Sequence, residues 1–471
     1  MGEVTFVVVS FEGPDHYSCG GGLGSRVTEL TQVLSRMGFE THLFFIGEPY
    51  LSGHETLENG KLVLHRWCQW ISRYHPAGVY DGEEAKLADW DKSLPSWMET
   101  ELLAKKVEEG GQVMVMAEEW QTATAVINLA EVVRKRGWQD NVKVLWNANN
   151  TFSFHRINWD SLKSSCTVTT VSRYMKHEMW KYGVDARVLP NGIADEWLDP
   201  IDRRSVSQLS ALLWNRLSLL KVARWDPDKR WLMAADAAAE LKRMGLRPLL
   251  LARGGVENHK LEVLARIREH GMRTAPVHWS GQEPGAMIEA NAPAINADVI
   301  DFQVYLSMAQ RKVLYRAVDA VLANSGIEPF GLVGLETMVV GGIAFVGSTG
   351  EDYATPGYDA VSIQSADPKE IVHHASYLYQ HRYGEIATKM RRMARRSAAK
   401  YTWRAVIDRV LLPFLSEIGL SVPSREGVVP NAGQADRGEQ AGQTEEETSP
   451  PVEADVPPSA NGKSGYVATP I

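Results

Sequence analysis

The sequence predicts an α/β protein of two domains, followed by a disordered tail. A chain of 471 residues is too long for one ordinary hydrophobic core, which favours two domains. An apolar, β-branched run at Val4–Phe11 opens the chain, and helical and strand-like segments then alternate as in parallel sheets. The alternation restarts after Trp214, which predicts a second sheet.

Short apolar runs mark the strands of both predicted sheets. In the first sheet, glycines follow the opening run, a helical pattern ends at Gly38, and a second strand comes at Thr41–Ile46. The other predicted strands are Val113–Met116, Val142–Trp146, Thr167–Val171, Ala186–Leu189, Ser218–Val222, Pro248–Ala252, Ala320–Ala323 and Gly342–Gly347.

The C-terminal tail differs in composition from the rest of the chain. From Ser421 onward it holds seven prolines and one aromatic residue, Tyr466, which is too little to form a core. It also holds eight acidic and three basic residues, which leaves a net charge of −3 for the preceding chain. We therefore expect residues 421–471 to be disordered. The near-neutral remainder does not favour nucleic-acid binding.

Composition also bears on compartment and metals. The three cysteines, Cys19, Cys68 and Cys166, lie far apart, so neither a disulfide framework nor a zinc site is indicated. The N-terminal segment is too short and too acidic for a signal peptide, and no apolar run reaches the length of a membrane span. We expect a cytoplasmic protein. The basic segment Lys389–Lys400 is interpreted as a solvated helix face rather than a membrane contact.

Four glycines, Gly20, Gly21, Gly22 and Gly24, lie between the first strand and the first helix. Their spacing does not match GxGxxG, and eight residues separate them from Phe11. A long glycine loop lets the backbone approach a bulky ligand, and amides at a helix start suit phosphate or sugar hydroxyls. Gly22 and Gly24 are therefore candidate ligand-binding residues. From this loop alone, a plain flexible turn is an equally good interpretation.

Two cations, Arg224 and Lys229, follow the predicted strand Ser218–Val222. Ligands bind at such strand ends in α/β sheets, and a guanidinium with an ammonium suits a diphosphate. Solvated loop cations are the plainer alternative. The neighbouring Asp226 and Asp228 resemble a DxD metal motif, but the adjacent cations and a proline turn explain them without a metal.

The stretch that follows the predicted strand Ala320–Ala323 carries two glutamates. Pro329 suits the first turn of a helix, and Glu336 lies about two turns beyond Glu328 on roughly the same side. Carboxylates accept hydrogen bonds from the vicinal hydroxyls of a ribose or hexose. Ordinary helix charges would also explain both residues. The amides that such a helix start directs at an anion belong to Phe330, Gly331 and Leu332.

These segments resemble the retaining glycosyltransferases of the GT-B fold, specifically the glycogen/starch synthase and family 4 group. The resemblance runs from Val4 to about Trp403. Its most specific parts are the E-x7-E motif at Glu328 and Glu336 and the paired cations above. Further matching segments are GGLG at Gly21–Gly24, VSRYM at Val171–Met175, LPNGI at Leu189–Ile193, Ser348-Thr349-Gly350 and Tyr401-Thr402-Trp403.

The resemblance implies two Rossmann-like domains that face each other across a cleft. They are expected at residues 1–200, on the acceptor side, and 201–390, which binds the nucleotide sugar. A C-terminal helix at 391–420 would cross back to the first domain.

The resemblance also implies roles for single residues. Arg224 and Lys229 would stabilise the departing nucleoside diphosphate, so neither a metal nor another cofactor would be needed. Glu328 would lie beside the donor sugar. The expected donor-binding residues are Gly22, Gly24, Phe330, Gly331, Leu332, Glu336, Thr349 and Gly350.

Four positions depart from the family pattern. Cys19 replaces a lysine, Glu118 and Glu119 replace a His-Asp pair, and Asn149 replaces the active-site histidine. An asparagine can accept and donate hydrogen bonds near a sugar hydroxyl but cannot titrate. His155, six residues on, is interpreted as an ordinary surface residue. The candidate catalytic residues are Arg224, Lys229, Glu328 and Asn149.

The expected activity is transfer of a hexose, most simply glucose, from a UDP-, ADP- or GDP-sugar to a glucan or other sugar hydroxyl with retention. One alternative is a catalytically weakened homologue that binds nucleotide sugar or glycan as a sensor or scaffold. Another is a sugar-nucleotide epimerase, against which the segment EPFGLVGLE argues. Aromatic rings stack on sugars, but burial is the expected place of Trp67, Trp70, Trp90 and Trp97.

Overall fold

The computed structural model describes residues 4–422, and its two largely parallel sheets confirm the predicted α/β fold. The tail predicted to be disordered lies outside the described residues, apart from residues 421 and 422. No helix within the described range is both long and apolar enough to cross a membrane.

The first sheet has eight strands in the order β3-β4-β2-β1-β5-β6-β7-β8. Its neighbouring strands run parallel except for the antiparallel pair β3 and β4. The bounds are β1 Val4–Val9, β2 Thr41–Ile46, β3 His54–Leu57, β4 Leu62–Trp67, β5 Gln112–Glu118, β6 Val142–Ala148, β7 Thr167–Thr170 and β8 Arg187–Val188.

The second sheet has seven strands, all parallel, in the order β11-β12-β10-β9-β13-β14-β15. Its central strands are buried, which explains their continuous apolar runs. The bounds are β9 Leu217–Val222, β10 Pro248–Arg253, β11 Thr274–Val277, β12 Val299–Phe302, β13 Ala320–Ala323, β14 Ala344–Val346 and β15 Val361–Ser362.

Helices connect and cover both sheets. Those of the first half are α1 Gly22–Arg36, α2 Gln69–Ser72, α3 Glu83–Trp97, α4 Ala104–Glu108, α5 Ala123–Arg136, α6 Trp159–Ser165 and α7 Arg173–Met179. Those that follow are α8 Arg203–Leu212, α9 Trp231–Arg243, α10 His259–Glu269, α11 Pro284–Asn291, α12 Met308–Ala317, α13 Leu332–Val339, α14 Pro368–Gln380, α15 Glu385–Ala398, α16 Trp403–Val406 and α17 Leu412–Glu417. Two π-helical segments, Met98–Leu103 and Ile407–Leu411, interrupt this pattern.

The predicted strand Gly342–Gly347 is shorter than expected. It begins at Ala344, because Gly342 approaches the backbone of α12. A Cβ on Gly342 would lie 2.4 Å from the carbonyl oxygen of Tyr315. Its amide donates to the carbonyl of Thr337 at 2.9 Å and so helps to close α13. Gly342, which the sequence predicted to lie in a strand, therefore contributes to the C-terminal end of α13.

The prediction that Pro329 stands in the first turn of a helix was wrong. Helix α13 begins at Leu332, and Gly331 is its N-cap. The reason lies at Glu328, whose carbonyl accepts from the amide of Gly350 at 2.9 Å and the hydroxyl of Thr349 at 3.0 Å. Because the Glu328 carbonyl already accepts these two hydrogen bonds, it does not accept the first intrahelical hydrogen bond of α13.

The C-terminal helices pack on the first sheet. Trp403, Leu411 and Phe414 share a buried cluster with Phe6 of β1 and Leu30 of α1. The amide of Trp403 donates to the carbonyl oxygen of residue 193 at 2.9 Å. The end of the described chain is thus tied to its beginning, while the domain bounds at 200, 390 and 420 stay predictions.

Candidate functional site

Lys229, Glu328 and Thr349 meet at the carboxyl ends of three adjacent strands, β9, β13 and β14. The Nζ of Lys229 lies 2.5 Å from Oε2 of Glu328, with each side chain about one-fifth exposed. The Thr349 hydroxyl accepts from the Glu328 amide at 2.9 Å. Parallel sheets bind ligands at this edge, so the geometry suits a ligand site.

Gly350 is the residue that lets these loops pack closely. A Cβ at this position would lie 2.1 Å from the carbonyl oxygen of Pro329 and 2.3 Å from that of Glu328. Both obstacles are backbone atoms and cannot rotate away. Glycine is therefore required for the loop after β14 to reach the loop after β13.

Arg224 also follows β9, and its side chain is exposed. Among residues 4–422 the structure gives its guanidinium no hydrogen bond or ion pair. Asp226 caps the short turn at Pro227–Lys229 by accepting from the amide of Asp228 at 2.9 Å, in keeping with a turn. Arg224 is thus a cation with its donors available at the edge of the sheet.

The start of α13 lies against the same loops. Within residues 4–422 the amides of Phe330 and Gly331 have no acceptor, and the first amides of a helix have none within it. Phe330 itself is buried, and its ring packs edge-on against Tyr353 with centroids 5.5 Å apart. The buried Phe330 ring fixes this segment in place. The amides of Phe330, Gly331 and Leu332 are then available to donate hydrogen bonds to a ligand.

Glu336 is held by two partners, the half-buried Arg311 and the buried Tyr315. Its two oxygens accept from Nη1 of Arg311 at 2.8 and 2.9 Å, and the Tyr315 hydroxyl donates to Oε2 at 3.1 Å. Burial raises the pKa of Glu336, and the charge of Arg311 opposes that rise. Because a carboxylate offers about four lone-pair positions, Oε1 keeps capacity for one more donor.

Two titratable groups beside this site were missed by the sequence interpretation. Lys221 of β9 is buried, and its Nζ donates to Asn324 Oδ1 at 2.9 Å. Burial, with the nearby charge of Lys229, lowers its pKa to about 7. Burial and the charge of Glu328 raise the pKa of Glu351 to about 7. A lysine inside an otherwise apolar strand, SLLKV, was the signal for the first; nothing marked the second.

The glycine loop of the first sheet holds a carboxylate. Oε2 of Glu12 accepts from the amides of Gly20, Gly21 and Gly24 at 3.1, 3.0 and 2.9 Å. The Gly24 amide, expected to face a ligand, is therefore already occupied, while Gly22 is exposed at the start of α1. A side-chain anion sits where a ligand anion was expected.

Asn149 follows β6 and joins a buried network. Its Nδ2 donates to Oε2 of Glu118 at 2.7 Å, and Asn147 donates to the same oxygen at 2.9 Å. Arg26 grips both Glu118 oxygens at 3.1 Å, with both side chains almost fully buried. Asn149 thus makes its side-chain hydrogen bonds within the first sheet and none with Lys229 or the loops around it.

Glu119 next to this network has an unusual backbone and an unusual pKa. Its φ of 70° lies in the region that favours glycine. Oε1 accepts from the amides of Asn149 and Asn150 at 2.6 and 3.1 Å. Burial, with the adjacent charge of Glu118, raises its pKa to about 8. Strained backbone and perturbed carboxyls concentrate at functional sites.

Direct contacts bring the carboxyl ends of the two sheets together. Arg173, after β7, pairs with Asp352, after β14, at 3.1 Å, and its amide donates to the same carboxylate at 2.7 Å. Burial raises the pKa of Glu29 on α1 to about 7, and the charge of Glu336 on α13 adds to that rise. The two groups of candidate residues therefore face a shared space.

The other sequence candidates lie outside these networks. Cys19 and His155 are exposed, as expected for His155. Of the tryptophans expected to be buried, Trp90 is fully buried but Trp70 is 62% exposed. Within residues 4–422, no three His, Cys, Asp or Glu side chains cluster so as to hold a metal ion.

The sequence matches no protein-family model and no curated protein. The structure, by contrast, resembles many solved structures at low sequence identity. Sucrose-phosphate synthase from Thermosynechococcus elongatus is 15% identical with a TM-score of 0.61, covering 88% of this chain and 100% of that one. The catalytic domain of starch synthase IV from Arabidopsis thaliana, bound to ADP and acarbose, is 14% identical with a TM-score of 0.62, covering 89% and 100%.

A third solved structure, alpha,alpha-trehalose-phosphate synthase (UDP-forming) from Burkholderia xenovorans in complex with glucose-6-phosphate, is 12% identical with a TM-score of 0.59, covering 88% and 99%. Matches at this level of identity bear on the fold. The fold of this chain is the GT-B fold of those enzymes, as its sequence predicted.

Proposed function

We propose that this protein transfers a hexose from a nucleotide sugar to the hydroxyl of a sugar acceptor, with retention of anomeric configuration and without a metal. The observation that carries the proposal is the meeting of Lys229, Glu328, Thr349 and Gly350 at three adjacent strand ends, beside the unpartnered Arg224. The starch synthase structure of the same fold holds ADP and acarbose in its crystal.

The diphosphate would lie against Arg224 and Lys229. An ammonium has three N–H donors, so Lys229 can keep Glu328 and still donate to a phosphate oxygen. The free amides of Phe330, Gly331 and Leu332 at the start of α13 add further donors. The Thr349–Gly350 loop would border the phosphates. These groups stabilise the charge that develops on the leaving diphosphate.

The sugar and ribose would be held by the two glutamates. Glu328 would accept from hydroxyls of the transferred hexose. Glu336 would accept from a ribose hydroxyl through the capacity left on Oε1. The bond from the anomeric carbon to the diphosphate oxygen breaks, and its electron pair leaves with the diphosphate. The acceptor oxygen bonds to the same face of that carbon, and its proton passes to a phosphate oxygen.

One observation favours a second candidate, a nucleotide-sugar or glycan sensor with weakened catalysis. Glu12 occupies the amides of Gly20, Gly21 and Gly24, and Asn149 is engaged by Glu118. With these amide donors already engaged, the first half of the chain would still bind the ligand but would stabilise the transition state less.

Nucleoside diphosphate release distinguishes the two candidates. UDP-, ADP- and GDP-hexoses are each tested with a mixture of sugar acceptors, using wild type, Arg224→Ala and Lys229→Ala. The control is Lys242→Ala, which removes a lysine paired with Asp298 away from the site.

We expect acceptor-dependent release from one donor. Because a hydrogen bond to a charged group contributes about 1.5–3 kcal/mol, each site variant should bind nucleotide about ten- to a hundredfold more weakly, and the control should not. Nucleotide binding without nucleoside diphosphate release from any donor would contradict the enzyme proposal and favour the sensor. Full activity in both site variants would contradict the proposed site.

A further inference from the structure

A cavity of about 470 Å³ opens between three loops of the first half of the chain, at residues 16–20, 48–50 and 76–81. The first two loops follow β1 and β2. The third precedes α3. The cavity therefore lies at the carboxyl-end edge of the first sheet, beside the glycine loop.

A buried ion pair ties the segment before the first loop to β4, and the same carboxylate contacts the second loop. Arg66 of β4 grips Asp15 with two hydrogen bonds of 2.8 and 2.9 Å, and both side chains are 3% exposed. Asp15 also accepts from the amide of Glu48 at 3.0 Å. Breaking such a pair leaves an uncompensated buried charge, so the arrangement is rigid.

A buried lysine holds the third loop. Nζ of Lys86, which is fully buried, donates to the carbonyls of Val79 and Asp81 at 2.9 and 2.6 Å and to the Tyr17 hydroxyl at 2.7 Å. These contacts use its three hydrogens. The Lys86 ammonium therefore has no donor left for a ligand.

The cavity lining has aromatic rings and carboxylates. Tyr50 and Tyr80 line it together with Glu48, Asp81 and His16, and no arginine or lysine is among its described lining residues. The Tyr80 hydroxyl donates to Glu12. Burial raises the pKa of Tyr80, and the charge of Glu12 raises it further, so the surroundings are electronegative. A phosphate group in this cavity would meet the carboxylates of Glu48 and Asp81 with no guanidinium or ammonium in the lining to offset them.

Exposed aromatic rings continue beyond the cavity. Tyr50 and Tyr74 are each 80% exposed and Trp70 is 62% exposed. Gln69, next to Trp70, donates to the carbonyls of residues 48 and 51 at 2.6 and 2.9 Å, which fixes α2 against the second loop. Exposed rings held by rigid loops suit the apolar faces of sugar rings.

We propose that this cavity binds the sugar acceptor, and that the acceptor is an uncharged saccharide rather than a sugar phosphate. The proposal rests on the proposed function, because it assigns that reaction's second substrate. The solved trehalose-phosphate synthase of the same fold holds glucose-6-phosphate, so the charge of the acceptor is a point on which proteins of this fold can differ.

The test compares matched neutral and phosphorylated sugars. Glucose, maltose and maltotriose are set against glucose 6-phosphate and maltose 1-phosphate, in wild type, Tyr50→Ala and Glu48→Lys. The control is Tyr383→Ala, which removes a tyrosine that is 76% exposed in the second half of the described chain. Direct binding is followed by saturation-transfer NMR, and turnover by nucleoside diphosphate release.

We expect neutral sugars to bind and to stimulate release, and the phosphates to do neither. Loss of one stacked ring should raise the acceptor KM about three- to tenfold in Tyr50→Ala, with donor affinity unchanged. Glu48→Lys should gain binding of glucose 6-phosphate.

Preference of the wild type for the sugar phosphates, or neutral binding unaffected by Tyr50→Ala, would overturn the proposal. Neutral binding that is lost in Tyr50→Ala, without release from any donor, would support the cavity while the proposed transfer failed.

Discussion

Lys229 and Glu328, ninety-nine residues apart in sequence, form an ion pair with Nζ and Oε2 separated by 2.5 Å. The pair links the loop after β9 to the loop after β13. In the proposed function, Lys229 would serve as a cation for the leaving diphosphate and Glu328 as a carboxylate for sugar hydroxyls, side by side. The arrangement depends on loop packing that can be tested without any substrate.

Gly350→Ala is expected to displace the Glu328 loop. The added methyl would lie within 2.1 Å of the Pro329 carbonyl oxygen, so backbone must move. We expect thermal stability to fall and nucleotide affinity to fall about tenfold or more, because phosphate and sugar contacts shift together. Calorimetric titration with nucleoside diphosphates measures the loss.

The control for that substitution is Gly285→Ala on α11, where a Cβ would meet nothing within 4 Å. Alanine should be tolerated or slightly stabilising there, because it favours helix. Equal behaviour of the two variants would contradict the role given to Gly350.

Asn149→Asp is expected to destabilise the polar network at the end of β6. The change replaces a donor to Glu118 by a second acceptor at about 2.7 Å, so two carboxylates would oppose each other. A loss of about 1–3 kcal/mol in the free energy of unfolding is expected, as for a buried group without its partner. Denaturant unfolding measures this loss.

Asn150→Asp is the matched control, because its Oδ1 accepts from the Phe152 amide and an aspartate keeps that acceptor. We expect little change. Retained stability in Asn149→Asp would show that its amide does not hold Glu118.

Glu119 should make stability depend on pH. Burial raises its pKa from 4.5 to about 8, so the folded state prefers the protonated carboxyl. The resulting stability is fully present below pH 4.5 and is lost as the pH rises through 8. The free energy of unfolding should therefore fall across this window, by at most about 1.4 kcal/mol per pH unit from this group.

Glu119→Gln mimics the protonated form and should remove that dependence. Its melting temperature should exceed that of wild type at pH 9 and approach it at pH 5. Glu109→Gln, at a side chain that is 67% exposed, is the control and should follow wild type. Parallel curves for wild type and Glu119→Gln would contradict the raised pKa.

Arg311→Met should destabilise the fold by about 3–5 kcal/mol, because it leaves Glu336 buried without its cation. Adding Glu336→Gln should recover part of that loss, since no charge then remains to be compensated. Lys105→Met, which breaks an exposed pair with Glu101, should leave the free energy of unfolding almost unchanged. Chemical denaturation of wild type, Arg311→Met, Glu336→Gln and the double variant measures the coupling between Arg311 and Glu336, and additive losses would exclude it.

Short apolar runs predicted ten of the fifteen strands within residues 4–422 and the loops that follow them, whereas β3, β4, β11, β12 and β15 were not predicted. Lys229 and Glu328 could be placed together because carboxyl ends of neighbouring parallel strands share an edge. The contact of Arg311 with Glu336 could not be predicted, because it depends on how α12 packs on α13. Glu12 could not either, because no motif marks a carboxylate that folds back onto a glycine loop.

The product of the reaction tests the central claim most directly. After incubation of the wild type with its preferred nucleotide hexose and a neutral saccharide, mass spectrometry and proton NMR report the mass and anomeric coupling of the product. The account predicts an acceptor extended by one hexose, with the anomeric configuration of the donor. Free hexose alone, or an extended acceptor with inverted configuration, would contradict it.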